Sequence, residues 1–182
     1  MRLRSTLVSL MGLLLAGCGG TDPKSFEGET PRLLLEEFFE GELVAYGIFE
    51  DRFGDLRRRF KVDIQGDWNP QTRTLTLDER FTYADGETDR RVWTIEKLGP
   101  HRYKGTAPDV IGTAEGESYG NAFTWSYKLD LDVGDSTWRV RFNDWMYKMD
   151  DDVLINRASV RRWGIEIGTL TITFRKTGSP TN

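Results

Sequence analysis

The chain has 182 residues, of which 30% are charged and 38% hydrophobic, a balance typical of one soluble globular domain with room for a core. Residues 1–17 contain Arg2 and Arg4 and no acidic residue, so the rest of the chain has 23 basic against 29 acidic residues and a net charge of −6. This balance argues against a nucleic-acid-binding surface and against docking on anionic lipid by charge alone.

The first residues have the organisation of a secretory signal. A basic start at Arg2 and Arg4 precedes an apolar run that ends at Leu15. That run has roughly ten residues, about half of what a membrane-spanning helix needs. The sequence Leu15-Ala16-Gly17-Cys18 follows, and it resembles the bacterial lipobox. The resemblance implies that residues 1–17 are a signal peptide, that cleavage occurs before Cys18, and that acyl chains on Cys18 hold the protein to a membrane.

The cysteine count agrees with lipidation of Cys18. It is the one cysteine of the chain, so no disulfide forms within it, and a free thiol is a liability in an oxidising compartment. The next residue is Gly19, and the bacterial sorting pattern associates aspartate at that position with retention in the inner membrane. We therefore expect the periplasmic face of the outer membrane, with the inner membrane as the alternative.

Residues 18–29 are mostly small and polar and predict a flexible tether. A helix is then predicted to begin at Thr30-Pro31, because a hydroxyl side chain is a good cap and proline suits the first helical position. Its apolar residues are Leu33, Leu34, Leu35, Phe38 and Phe39, and Gly41 ends it. We expect this short helix to cover one end of the fold.

From residue 41 onward, apolar and polar residues alternate with the two-residue period of half-buried strands. The alternation is clearest in segments 59–65, 74–83, 123–131, 138–142 and 165–174. Eight to ten sequential strands most simply form one closed antiparallel β-barrel over residues 30–176, since closure removes exposed edges. A β-sandwich is the alternative, and residues 177–182 are predicted to be a disordered tail.

One hairpin can be predicted in register. A three-residue loop at Ala84-Asp85-Gly86 places Leu75 opposite Ile95, Leu77 opposite Trp93, and Glu79 opposite Arg91. A two-residue turn would pair apolar with polar residues instead. The preferred register puts Glu79 and Arg91 together on the inward face. There they either form an ion pair that fixes the register or provide a polar anchor inside a ligand cavity.

Signals for metal or nucleophilic chemistry are weak. A single histidine, His101, and one lipidated cysteine leave no set of zinc ligands, and we expect His101 to be exposed in a turn. Ser118 lies in a Gly-x-Ser-x-Gly pattern, but the surroundings are strands and His101 precedes it. Residues 150–152 are three aspartates that fit a charged turn better than a calcium loop. We predict no metal and no cofactor.

Aromatic residues are the more informative feature, with six Trp, six Tyr and ten Phe. Some must form the core, but others could line a cavity, because small barrels either fill their interior or hold one ligand. The candidates for such a wall are Trp93, Trp125, Tyr127, Trp138 and Trp145.

Three blocks of sequence lie in residues 47–54 (GIFEDRFG), 85–93 (DGETDRRVW) and 144–157 (DWMYKMDDDVLINR). They resemble a family of proteobacterial lipoproteins known as a domain of unknown function, DUF3833, over about residues 37–176. The resemblance implies a lipocalin-like (calycin-type) barrel and assigns no catalytic residue.

The preferred functional hypothesis is a monomeric, membrane-anchored binding protein for an apolar or amphipathic ligand, such as a fatty acid or lipid. Its candidate ligand-binding residues are the aromatics Trp93, Trp125, Tyr127 and Trp145 and the polar anchors Glu79, Arg91 and Arg157. A lipid-modifying enzyme with Glu79 and Asp144 as acid and base is a second hypothesis. A structural partner in an envelope complex is a third.

Overall fold

The computed structural model describes residues 20–133 and 136–177, so Cys18, the signal peptide and most of the predicted tail lie outside the described residues. A 3-10 helix, Pro23–Phe26, and a single helical turn, α1 (Leu35–Phe38), precede ten strands. The strands are β1 (Gly41–Asp51), β2 (Leu56–Asn69), β3 (Thr74–Tyr83), β4 (Thr88–Lys97), β5 (Arg102–Thr106), β6 (Ala114–Tyr119), β7 (Ala122–Val133), β8 (Ser136–Lys148), β9 (Val153–Arg162) and β10 (Ile165–Lys176).

The strands form one closed antiparallel barrel in which each strand pairs with its neighbours in the chain. The first and last strands close the ring, from Leu43 opposite Lys176 to Asp51 opposite Gly168. The predicted all-β barrel is therefore confirmed and the sandwich alternative is wrong. In the part of the chain that the structure describes, no helix has the length and apolar character needed to span a membrane.

The β3–β4 hairpin has the predicted register. Leu75 lies opposite Ile95, Leu77 opposite Trp93, and Glu79 opposite Arg91. Gly86 has a φ of 90°, and the amide of Tyr83 donates to the Glu87 carbonyl at 2.9 Å, which defines the three-residue loop. Inward and outward side chains are thereby fixed along both strands.

The predicted helix start is wrong. Residues 30–34 are not helical, Leu34 has an extended backbone, and the helical turn begins at Leu35. The reason is a competing set of partners: the amide of Leu33 donates to the Gly120 carbonyl at 2.8 Å, and the Ser118 hydroxyl donates to the Leu33 carbonyl at 2.5 Å. Leu33, Leu35 and Phe38 are buried, so this segment covers one end of the barrel as predicted.

Ordered packing also begins earlier than the predicted tether allows. Pro23–Phe26 forms a 3-10 helix capped by the Asp22 side chain, which accepts from the Lys24 amide. The Phe26 ring lies 5.8 Å from the rings of both Trp145 and Tyr147 on the outer wall of β8. The chain is thus held against the barrel from about residue 22.

We call the end covered by α1 the closed end, and the opposite end, with the turns at residues 52–55, 84–86 and 163–164, the mouth. At the closed end, Glu36 of α1 forms an ion pair with Lys97 and accepts a hydrogen bond from the Tyr103 hydroxyl at 2.9 Å. Both charged side chains are largely buried. A buried pair of this kind fixes α1 in position, because either charge alone would be costly.

Removing one charge of this pair should therefore destabilise the fold. We expect Lys97→Met to lower the free energy of unfolding by about 2–4 kcal/mol, since Glu36 is then left without its cation. Urea denaturation measures this. Lys104→Met, at an exposed position of β5, is the matched control and should change stability by less than about 0.5 kcal/mol. Equal effects of the two variants would contradict the role given to the pair.

Candidate functional site

The barrel encloses a cavity of about 80 Å³ between the closed end and the mouth. Seven of the ten strands line it, and the short strands β5 and β6 contribute no lining residue. Loop 107–113 lies beside β7 there, with Val110 bridged to Leu129. The lining is mostly apolar. We call the part formed by its polar members the base of the cavity: Glu79, Arg91, Trp125, Tyr127, Asp144 and Asn156.

Three aromatic side chains form one wall of the cavity. The ring of Trp93 lies 4.7 Å from that of Trp125 and 5.3 Å from that of Tyr127. Each of the short strands β5 and β6 has one inward glycine, Gly105 and Gly116, and a Cβ at Gly105 would lie 2.9 Å from the Trp125 ring. The small residues of the short strands therefore make room for the tryptophan that the longer strand β7 carries.

Asp144 is the most enclosed charged group of the cavity, with 2% of its surface exposed. Its Oδ2 accepts from the Trp125 indole at 3.2 Å, the Asn156 amide at 3.3 Å and the Tyr127 hydroxyl at 3.4 Å. Its Oδ1 is buried without a hydrogen-bond partner, as is Oδ1 of Asn156. Burial raises the pKa of Asp144 to about 6, although these three donors oppose the shift.

Glu79 and Arg91 share the inward face, but the predicted ion pair between them is replaced by another. The Arg91 guanidinium donates to one oxygen of Asp109 in loop 107–113, from Nε at 3.0 Å and Nη2 at 2.6 Å. Among the described residues, the half-buried Glu79 carboxyl forms neither a hydrogen bond nor an ion pair. Burial raises the pKa of Glu79 to about 7, with Arg91 acting in the opposite direction.

Two predicted site residues lie on the outside of the barrel. Trp145 packs on Phe26 and Tyr147 at the outer wall, and Arg157 is exposed. The reason is strand parity, because Trp145 is seven positions after the inward Trp138 on the same strand, and an odd separation reverses the face. Arg157 likewise lies between the inward residues Asn156 and Ala158. Trp145 and Arg157 therefore do not line the cavity.

The other predicted residues, Glu79, Arg91, Trp93, Trp125 and Tyr127, all line the cavity. Asn156 was not predicted from the sequence. It faces inward, like Leu154, Ala158 and Val160 on the same strand, and it is the polar member of these four residues. A polar residue among the inward apolar positions of a strand is a sequence feature that could have identified it. Asp109 could not be predicted from strand alternation, because it contacts Arg91 from loop 107–113.

Two further candidates from the sequence have structural roles. The Ser118 hydroxyl is buried and donates to the Leu33 carbonyl, so it holds the closed end. His101 is not exposed as predicted: its ring stacks on Tyr119 at 4.2 Å, and its Nδ1 lies 2.8 Å from the Ser118 carbonyl oxygen.

Apolar side chains surround the passage from the cavity to the mouth. They are half-buried and pack against the core, and we call them the collar: Phe49, Phe60, Phe81, Leu131, Trp138, Ile167, Leu170 and Ile172. Arg162 lies over the Trp138 ring at 4.1 Å at the outer edge of the collar. The cavity thus combines a polar base with an apolar approach.

The raised pKa of Glu79 makes a pH-dependent contribution to stability. Its carboxyl ionises near pH 4.5 when unfolded and near 7 when folded, so the free energy of unfolding should fall as pH rises between these values. We expect Glu79→Gln to remove roughly 1–3 kcal/mol of this fall. Urea denaturation at pH 5 and pH 8 measures it, with exposed Glu42→Gln as the control. An unchanged pH profile in Glu79→Gln would contradict the enclosed position of Glu79.

Comparisons with known proteins agree with the fold. An S-type phycobiliprotein lyase from Guillardia theta superposes with a TM-score of 0.57 at 11% identity, over 81% of this chain and 96% of that one. A protein of unknown function from the DUF3598 family of Nostoc punctiforme has a TM-score of 0.56 at 10% identity, over 80% of this chain, which spans 50% of its length. No curated protein matches the sequence. The model of DUF3833, a protein family of unknown function, matches residues 12–176, and the chain therefore belongs to that family.

Proposed function

We propose that this protein is a membrane-anchored binding protein whose barrel takes up the polar group of a small amphipathic molecule. The observation that carries the proposal is the base of the cavity, where Oδ1 of Asp144 and Oδ1 of Asn156 are buried without a hydrogen-bond partner. Native proteins pair nearly all such atoms. A third such atom, Oδ1 of Asn121, lies outside the cavity, whereas these two belong to residues that line it, which supports a ligand with donor groups at this place.

The size of the cavity limits the size of the group that can bind inside it. A cavity of about 80 Å³ is well below the roughly 300–1,000 Å³ of pockets that enclose a drug-sized molecule. A whole fatty acid or lipid therefore does not fit inside. A compact polar group fits at the base, and the apolar part of the ligand then lies among the side chains of the collar.

The proposed lipid anchor keeps this cavity close to a membrane. Packing against the barrel begins at about residue 22, four positions after Cys18. Four residues span at most about 14 Å, so a lipidated Cys18 holds the side of the barrel on which Pro23–Phe26 packs within that distance of the bilayer surface. Likeness to the phycobiliprotein lyase supports the barrel alone at 11% identity, and the proposal rests on the cavity.

The mouth has a surface suited to contact with lipid. Four exposed apolar side chains lie on its neighbouring β1–β2 and β9–β10 turns or at the start of the strand that follows: Phe53 (75% exposed), Leu56, Trp163 (84% exposed) and Ile165. Arg52 and Arg162 lie over the rings of Phe53 and Trp163, at 4.6 and 4.1 Å. Apolar rings beside arginines match the bilayer interface, where acyl chains meet anionic headgroups. We infer that ligand passes between the bilayer and the mouth.

Filling the cavity tests the binding site directly. The ten strands, both short helices and the core lie within residues 20–177, so a chain that starts at Gly20 retains the contacts among the described residues. We expect this chain to bind hexan-1-ol saturably, and Ile172→Trp, which extends into the cavity, to weaken binding at least about tenfold. Isothermal titration calorimetry measures both.

The control is Thr173→Trp, the adjacent, outward-facing position of β10, which should bind hexan-1-ol like the unmodified chain. Absence of saturable binding by the unmodified chain, or equal binding by both tryptophan variants, would overturn the proposed function.

Contact between the mouth and lipid is tested with the same chain on vesicles of phosphatidylethanolamine and phosphatidylglycerol. We expect Phe53→Ser combined with Trp163→Ser to reduce co-sedimentation at least about fivefold, because the apolar area that enters the interface is lost. Leu98→Ser combined with Met149→Ser removes exposed apolar residues at the closed end and serves as the control. Equal binding of the two double variants would exclude the mouth as the lipid contact.

A further inference from the structure

The base of the cavity is rich in carboxyl groups. Glu79 and Asp144 line it, and Asp109 approaches from loop 107–113. Arg91 is the one basic side chain among the described residues that line the cavity, and Asp109 already occupies its guanidinium. With the carboxyls ionised, three negative charges face a single positive charge. This arrangement favours a cation at the base and repels an anion.

The hydrogen-bonding groups at the base of the cavity also favour a cation, because they are acceptors that need a donor. Oδ1 of Asp144 and Oδ1 of Asn156 are acceptors without a donor, and the Glu79 carboxyl has no donor among the described residues. A ligand that satisfies these atoms must therefore supply N–H or O–H groups. A carboxylate supplies acceptors only and would leave the two buried oxygens of Asp144 and Asn156 unsatisfied.

The aromatic wall adds a second, independent preference. Trp93, Trp125 and Tyr127 surround the base with ring centroids 4.7–5.6 Å apart, and one face of Tyr127 is covered by Phe142. The negative faces of indole and phenol rings attract organic cations. No group of three or more His, Cys, Asp or Glu side chains among the described residues is arranged to hold a metal ion. The wall therefore suits an ammonium group.

We propose that the polar group bound at the base of the cavity is an ammonium group, held by the carboxyls of Glu79 and Asp144 and the amide oxygen of Asn156. The ligand is then an amine with an apolar part, and not a fatty acid as the sequence led us to expect. This inference rests on the proposed function, because it requires that the cavity is a binding site.

A series of probes with one apolar chain and different polar groups tests the inference. Hexylammonium, hexan-1-ol and hexanoate are titrated into the chain that starts at Gly20, by calorimetry at pH 8, where Glu79 and Asp144 are ionised. We expect hexylammonium to bind at least about tenfold more tightly than hexanoate, with hexan-1-ol between them. Hexanoate binding as tightly as hexylammonium would overturn the inference.

Variants show whether the named carboxyls cause the preference. Glu79→Gln and Asp144→Asn should each reduce the preference for hexylammonium over hexan-1-ol at least about threefold, and either variant suffices if the other fails to fold. Asp130→Asn removes an exposed carboxylate paired with Arg139 and should leave the preference unchanged. A preference that survives in both cavity variants would contradict the inference.

The two proposals fail in different ways. If none of the three probes binds saturably, the proposed function is wrong. If hexan-1-ol binds but hexylammonium has no advantage over hexanoate, the cavity remains a binding site and the ammonium assignment is wrong.

Discussion

Pairing of the first strand with the last is the constraint on which the rest of the structure depends. Once β1 and β10 are joined along Leu43–Asp51 and Gly168–Lys176, every strand has two partners and every second side chain must point inward. The cavity, the collar and the covered end are consequences of that closure. Ten strands enclose more space than the eight that side chains just fill, and buried aromatic side chains occupy part of this interior.

The interior is divided along its length by the kind of side chain that fills it. The closed end is packed by α1 and by large apolar residues such as Phe123 and Leu154. The middle carries Glu79, Asp144 and Asn156, whose burial is unfavourable for folding. Groups that weaken a fold and face a cavity are typical of functional sites. Stability and packing do not account for them, whereas a ligand with donor groups does.

Much of the fold could be predicted because strand period and hairpin chemistry are local. The alternation of residues 74–83 and the loop ending at Gly86 were enough to place Glu79 opposite Arg91. The start of the N-terminal helix was not predictable in this way, because Leu33 pairs with Gly120, far along the chain. This pairing outweighs the preference of Thr30-Pro31 for the start of a helix.

The site residues that lie on strands could also be predicted, because strand alternation is local. Two-residue alternation along one strand predicts which side chains face inward, as for Trp125, Tyr127 and Leu129 on β7. The same alternation, applied along β8 from the inward Trp138, places Trp145 on the outside. The partner of Arg91 depends on a loop conformation that no period encodes. Loop-supplied charges of this kind require a structure.

The most direct test of the central claim, that the cavity base binds a small polar group, is a two-dimensional NMR spectrum of the indole N–H groups. The Trp125 indole donates to Asp144 at the base, whereas Trp145 packs on the outer wall. Addition of hexan-1-ol should shift the Trp125 signal saturably and leave the Trp145 signal in place. A shift confined to Trp145, or no saturable shift of Trp125, would contradict the account.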